Sequence, residues 1–157
     1  MIAQLLPRTI DNTYRGHKAA LWLLGIVVLV TTAQAVNSML NPAAVASQAD
    51  GIPVASYTPA AAQAVTALFA LLGLLHLIIS ALCIVVLVRY RALVAFVTLL
   101  LLLEYVGRRL ILYAHPIPRV GTVPGPYISI GLLAAMLAAL VLALWTRSRP
   151  AVPSAAT

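Results

Sequence analysis

Residues 59–88 read PAAAQAVTALFALLGLLHLIISALCIVVLV, and the ionisable side chains among them are His76 and Cys83 alone. A helix crosses the hydrocarbon core of a bilayer with roughly 20 consecutive apolar residues. The stretch therefore predicts a membrane span rather than a core helix of a soluble domain. Thr58-Pro59 supplies its start, because a threonine hydroxyl accepts from a free N–H of the first turn and proline's missing N–H costs nothing there. Arg89-Tyr90-Arg91 closes it as a tight basic connection.

Three further spans flank this one. A basic segment, residues 1–18, carries Arg8, Asp11, Arg15, His17 and Lys18 and gives way at Ala19 to an apolar run that ends near Leu40, before Asn41-Pro42. The third span covers 92–113 and stops at His115-Pro116-Ile117-Pro118. Pro124-Gly125-Pro126 opens the fourth, 126–146, and residues 147–157 form a small-residue tail predicted to be disordered. Residues 42–58 contain no Lys or Arg and bear Asp50-Gly51 as a turn signal, so they read as a loop with one short surface helix. Ala33-Gln34-Ala35 offers a competing A-x-A cleavage site that would leave three spans. A leader of about 35 residues exceeds the usual 15–30, which favours four spans.

Composition agrees. The chain of 157 residues is 63% hydrophobic and 8% charged, with a mean hydropathy of +1.05. These values lie far from soluble globular domains, and four spans leave no length for a soluble catalytic domain. The net charge of +7 is scattered beside apolar runs rather than gathered on a polar face, which argues for topology signals and against nucleic acid. Seven Lys and Arg fall in segments 1–18, 89–91 and 147–149, against Arg119 on the other side. The positive-inside rule then predicts an all-α, four-transmembrane-helix bundle with both termini cytoplasmic, in a bacterial inner membrane.

Charge inside hydrocarbon is costly, so an intramembrane ionisable residue is a functional candidate by default. Glu104 falls near mid-membrane, Arg108 is one turn on along the same face, and Arg109 is turned about 100° further. On the second span, Phe69, Gly73, His76, Ser80 and Cys83 share one helical face, which predicts that His76 points inward at a depth similar to Glu104. Gln34 and Asn37 of the first span, with His76, Glu104, Arg108 and Tyr105, are expected to line a polar cavity opening away from the cytoplasm. Gly131, Ala135 and Ala139 recur at four-residue intervals as a small-xxx-small packing face, for use within the bundle or against another subunit. Three His, one Cys and three acidic residues give no metal-ligand spacing, and no phosphate loop, G-x-S-x-G turn or C-x-x-C pair occurs.

The run Gly73-Leu-Leu-His-Leu-Ile-Ile-Ser-Ala81, closed by Arg89-Tyr-Arg91, together with Gly107-Arg108 and the loop after the first span, resembles the DoxX-like family of small bacterial membrane proteins over residues 19–146. The resemblance implies a four-helix bundle, often of undefined activity, with some relatives serving as accessory parts of membrane redox systems. It supplies no catalytic residue.

Two functions fit these residues. One is a non-enzymatic accessory or structural subunit of a larger membrane assembly, held by other membrane subunits or by self-association. The other is a ligand-binding or transport-related protein whose cavity around Glu104 and Arg108 takes a quinone, a lipid headgroup or a small anion. No catalytic residue and no cofactor is predicted beyond such a quinone or lipid. What separates the two is whether Glu104 and Arg108 satisfy one another fully.

Overall fold

The computed structural model describes residues 12, 14, 16–121 and 124–145, and among these it is helical with no strand. Four long helices carry the fold: α1 (Lys18–Leu40), α2 (Pro59–Arg89), α3 (Val94–Ala114) and α4 (Gly125–Leu144). Helices α1, α2 and α4 are each long and apolar enough to cross a membrane. Helix α3 has 21 residues, about 32 Å at the helical rise, but holds Glu104, Arg108 and Arg109 and is the least apolar of the four. The chain is thus a multi-pass helical membrane protein. Its predicted tail, 147–157, and most of segment 1–18 lie outside the described residues.

The helix ends follow local chemistry. Thr58 caps α2, its hydroxyl accepting from Ala61 N at 3.3 Å, with Pro59 at the first position. At α1 the cap is His17, whose Nδ1 accepts from Ala19 N at 3.2 Å, a role beyond its place in the basic segment. Arg91–Leu93 winds as a 3-10 turn, so α3 begins at Val94, two residues later than expected. The loop over 42–58 departs from the single short surface helix predicted for it. Pro42–Ala44 and a π-helical turn, Val45–Ala49, lead into Gly51, whose φ of 71° provides the reversal, and Val54–Ser56 adds a 3-10 turn. Ala46 and Ile52 are buried, which folds this loop onto the helix ends beneath it.

Helix α1 lies against both α2 and α4, and α4 also packs on α3, whereas α2 and α3 meet along little of their length. Small residues set the closest crossing. A Cβ at Gly73 would lie 2.8 Å from the Ala35 carbonyl oxygen and 2.9 Å from Met39 N, so the α1 and α2 backbones touch there. One turn back along α1 and two turns on along α2, Thr31 Oγ1 and Ser80 Oγ lie 3.5 Å apart. The dry core sits toward the basic end, near Lys18 and Arg89–Arg91. There Leu24 and Val28 of α1 meet Cys83 and Val86 of α2 and Val94 and Val97 of α3. A second cluster joins Val27 to Tyr105, Leu132 and Met136. Thr98 is fully buried but donates to Val94 O at 2.7 Å, so its hydroxyl is satisfied within its own helix.

The outward faces are leucine, isoleucine and valine. Trp22, Leu29, Leu71, Ile78 and Val88 each expose more than half of their surface. An apolar exterior of this extent is the surface of a lipid-embedded bundle and would be a large aggregation-prone patch in water.

Candidate functional site

Near the middle of α2, on the face that meets α1 and α3, His76 projects into the α2–α3 seam. Its Nδ1 lies 2.7 Å from Leu72 O of its own helix. A carbonyl only accepts, so Nδ1 carries a proton and donates; Nε2 accepts in the neutral ring and donates in the protonated one. Arg108 Nη1 lies 3.3 Å from Nε2, where it can donate to the neutral ring. Glu104 Oε1 lies 3.4 Å from the same nitrogen and 3.5 Å from Arg108 Nε. The guanidinium, one turn beyond Glu104 on the same face, thus lies against both the imidazole and the carboxylate. Tyr105, almost wholly buried, offers its ring 4.5 Å from Arg108 Cζ and holds the planar group from behind.

The cluster is open on one side. The His76, Glu104 and Arg108 side chains keep 22%, 32% and 40% of their surface. Among the described residues, every polar contact of Glu104 runs through Oε1 and every polar contact of Arg108 through Nε and Nη1, so Oε2 and Nη2 are uncommitted. Toward the basic end the seam is sealed by Cys83, Val86, Val94 and Val97, with Ile79 and Leu101 packed against them. This gives the polar group an apolar floor.

The predicted partners sort unequally. His76, Glu104, Arg108 and Tyr105 come together as the helical spacing required. Gln34 and Asn37 do not join them. Both are exposed on α1, and Asn37 Oδ1 instead accepts from Asn41 Nδ2 at 3.0 Å, lining a shallow surface depression with Gln48 and Pro124. The α1 face toward α2 is taken by the tight crossing at Ala35, so the amide side chains one and two positions away turn elsewhere. Arg109 is exposed and stands apart from the cluster. On α4, Ala139 is buried and Ala135 packs into the core, while Gly131 faces open space. The small-residue face thus serves contacts inside this chain at two of its three positions.

Asp50 was read only as part of a turn, yet the fold brings it to the charged end of the site. Its carboxylate sits at the start of α4, where a Cβ on Gly125 would lie 2.9 Å from Oδ1, and Val120 N donates to the neighbouring Gly51 O at 2.8 Å. Burial pushes the Asp50 carboxyl above its ordinary range, and the positive charges of Arg119 and Arg108 pull it partly back. The sequence signal was thin: an acidic residue in a loop without Lys or Arg, in a chain with three acidic residues in all.

No cluster of His, Cys, Asp or Glu among the described residues could hold a metal ion. No protein-family model matches the chain, and neither a curated protein nor a solved structure matches it.

Proposed function

We propose that this protein binds a small amphiphile in the α2–α3 seam, as a ligand-binding or transport-related protein of the membrane, with His76, Glu104 and Arg108 as the polar contacts. The carrying observation is that a mid-helix ion pair and histidine satisfy each other only in part: among the described residues Glu104 Oε2 and Arg108 Nη2 make no hydrogen bond, and the three side chains stay a fifth to two-fifths exposed. Such groups in hydrocarbon demand a partner, and a purely structural pair would have closed on itself. On this reading α3 also crosses the bilayer, both termini are cytoplasmic, and the membrane is a bacterial inner membrane. The loop over 42–58 then lies on the outer side. The similarity to the DoxX-like family belongs to the same proposal and rests on the residues quoted for it.

The test is purification of the tagged full chain from its own host in mild detergent, followed by native mass spectrometry. The expected result is a chain that retains a non-protein amphiphile, lost in the double variant Glu104→Leu/Arg108→Leu. Replacement of both members of an ion pair by apolar residues leaves no orphan charge, so that variant folds. A chain that carries stoichiometric membrane proteins and no amphiphile would instead establish the accessory-subunit function.

A further inference from the structure

We infer that the seam selects a ligand with an uncharged headgroup that offers a hydroxyl donor and an oxygen acceptor side by side, on an apolar tail: a long-chain or isoprenoid alcohol or phenol. The inference rests on the amphiphile-binding reading and specifies its chemistry.

Charge balance carries the first step. With the His76 ring neutral, donating through Nδ1 to Leu72 O and accepting at Nε2 from Arg108, the charges of the cluster sum to zero: Glu104 carries one negative charge and Arg108 one positive. An anionic head would leave a net negative charge at the seam, next to Glu104, and a cationic head a net positive one. Either is expensive in hydrocarbon. Arg109 does not alter this balance, since it is exposed and turned away, free to extend toward the membrane surface. Asp50, at the loop end, lies in the positive field of Arg119 and, more weakly, of Arg108.

Depth carries the second. Glu104 is the eleventh residue of α3, about 15 Å from its first turn, and so lies near the midplane of a core roughly 30 Å thick. A phosphate headgroup resides at the interface and would have to descend half the core to meet Glu104. An uncharged hydroxyl or phenol reaches that depth at far smaller cost than a charged head, and recovers the cost on meeting a polar partner there.

Valence carries the third. The two uncommitted groups are an acceptor, Glu104 Oε2, and a donor, Arg108 Nη2. A hydroxyl satisfies both with one oxygen, donating to the carboxylate and accepting from the guanidinium. A carboxylate or phosphate could accept from Arg108 but would face Glu104 acceptor to acceptor. The tail then runs over apolar surface that includes Leu72, one turn before His76, and Leu103, next to Glu104, both exposed.

The experiment uses the full chain in nanodiscs and three photoactivatable probes that share one diazirine-bearing alkyl tail and differ in the head: alcohol, carboxylate and phosphate monoester. Crosslinks are mapped by peptide mass spectrometry in wild type and in Glu104→Leu/Arg108→Leu. The alcohol is expected to label the α2 and α3 peptides around His76 and Glu104 with roughly hundredfold preference over either anion, from the cost of net charge at mid-membrane. That labelling should be competed by the unlabelled alcohol and lost in the double variant. Preferential labelling by the carboxylate or phosphate overturns the neutral-head inference while leaving amphiphile binding in place. No labelling above the double variant, or crosslinks from the seam to a second protein chain, overturns both.

Discussion

The two ends of the helix bundle are built from the same four helices and differ in closure. At the basic end, Leu24, Val27, Val94 and Thr98 show no accessible surface and Cys83 shows 1%. From mid-helix toward the loop end, the α2–α3 seam holds three polar side chains that are a fifth to two-fifths exposed. The backbone course is similar; the side chains decide. Where β-branched and small residues face one another the helices interlock at crystal-like density. Where an imidazole, a carboxylate and a guanidinium share one gap, their polar ends stay partly exposed. Stability and ligand access are thereby separated along the same helices.

The sharpest way to break this comparison is to damage the closed end. Leu24→Ala should cost about 2–5 kcal/mol, the range for deleting a fully buried leucine, read as loss of thermal stability in detergent. The seam should be more forgiving. Glu104→Ala leaves Arg108 without its carboxylate, and a fully buried pair would lose about 3–5 kcal/mol. Because these side chains are 32% and 40% exposed, the expected loss is about 1–3 kcal/mol. Glu104→Gln/Arg108→Gln should restore most of it, since neither partner is then charged. If Glu104→Ala is as harmful as Leu24→Ala, the seam is not open.

Glycines sharpen the same contrast on a smaller scale. At Gly73 a methyl group would meet backbone atoms of Ala35 and Met39, whereas at Gly131 it would meet nothing within 4 Å. Gly73→Ala is expected to lose about 1–3 kcal/mol through overpacking. Gly131→Ala should gain about 0.5–1 kcal/mol from helix propensity. A Gly131→Leu variant that changed the oligomeric state would show instead that the open end of the α4 small-residue face meets a partner.

Much of this contrast was legible in the residues, and the illegible part has a physical cause. Helix existence followed from apolar runs of spanning length, and the meeting of His76 with Glu104 followed from helical periodicity on neighbouring antiparallel helices. Rotation of α1 was not legible. Gln34, Asn37 and Ala35 lie within one turn, and only the Ala35–Gly73 approach decides which of them faces α2. The start of α3 was misplaced by two residues because Arg91–Leu93 is locally compatible with either a tight turn or a helix. Asp50 could not be assigned to the site at all, since a loop's docking depends on long-range packing of Ala46 and Ile52.

The smallest effect tests the loop that covers the open end. Burial raises the Asp50 carboxyl above its ordinary value, opposed by Arg119 and Arg108. The folded chain therefore binds this proton more readily than the unfolded chain, so stability from this group is present in acid below the unfolded value and is lost as pH rises through the raised folded value. Asp50→Asn, which mimics the protonated form, should then melt slightly higher than wild type at neutral pH, and the two curves should converge in acid. The comparison is read from melting temperature against pH for both proteins in the same detergent. A variant that melts lower than wild type at neutral pH would reverse the balance. In that case attraction to Arg119 and Arg108 would outweigh desolvation, and the loop would be held down by its charge rather than by Ala46 and Ile52.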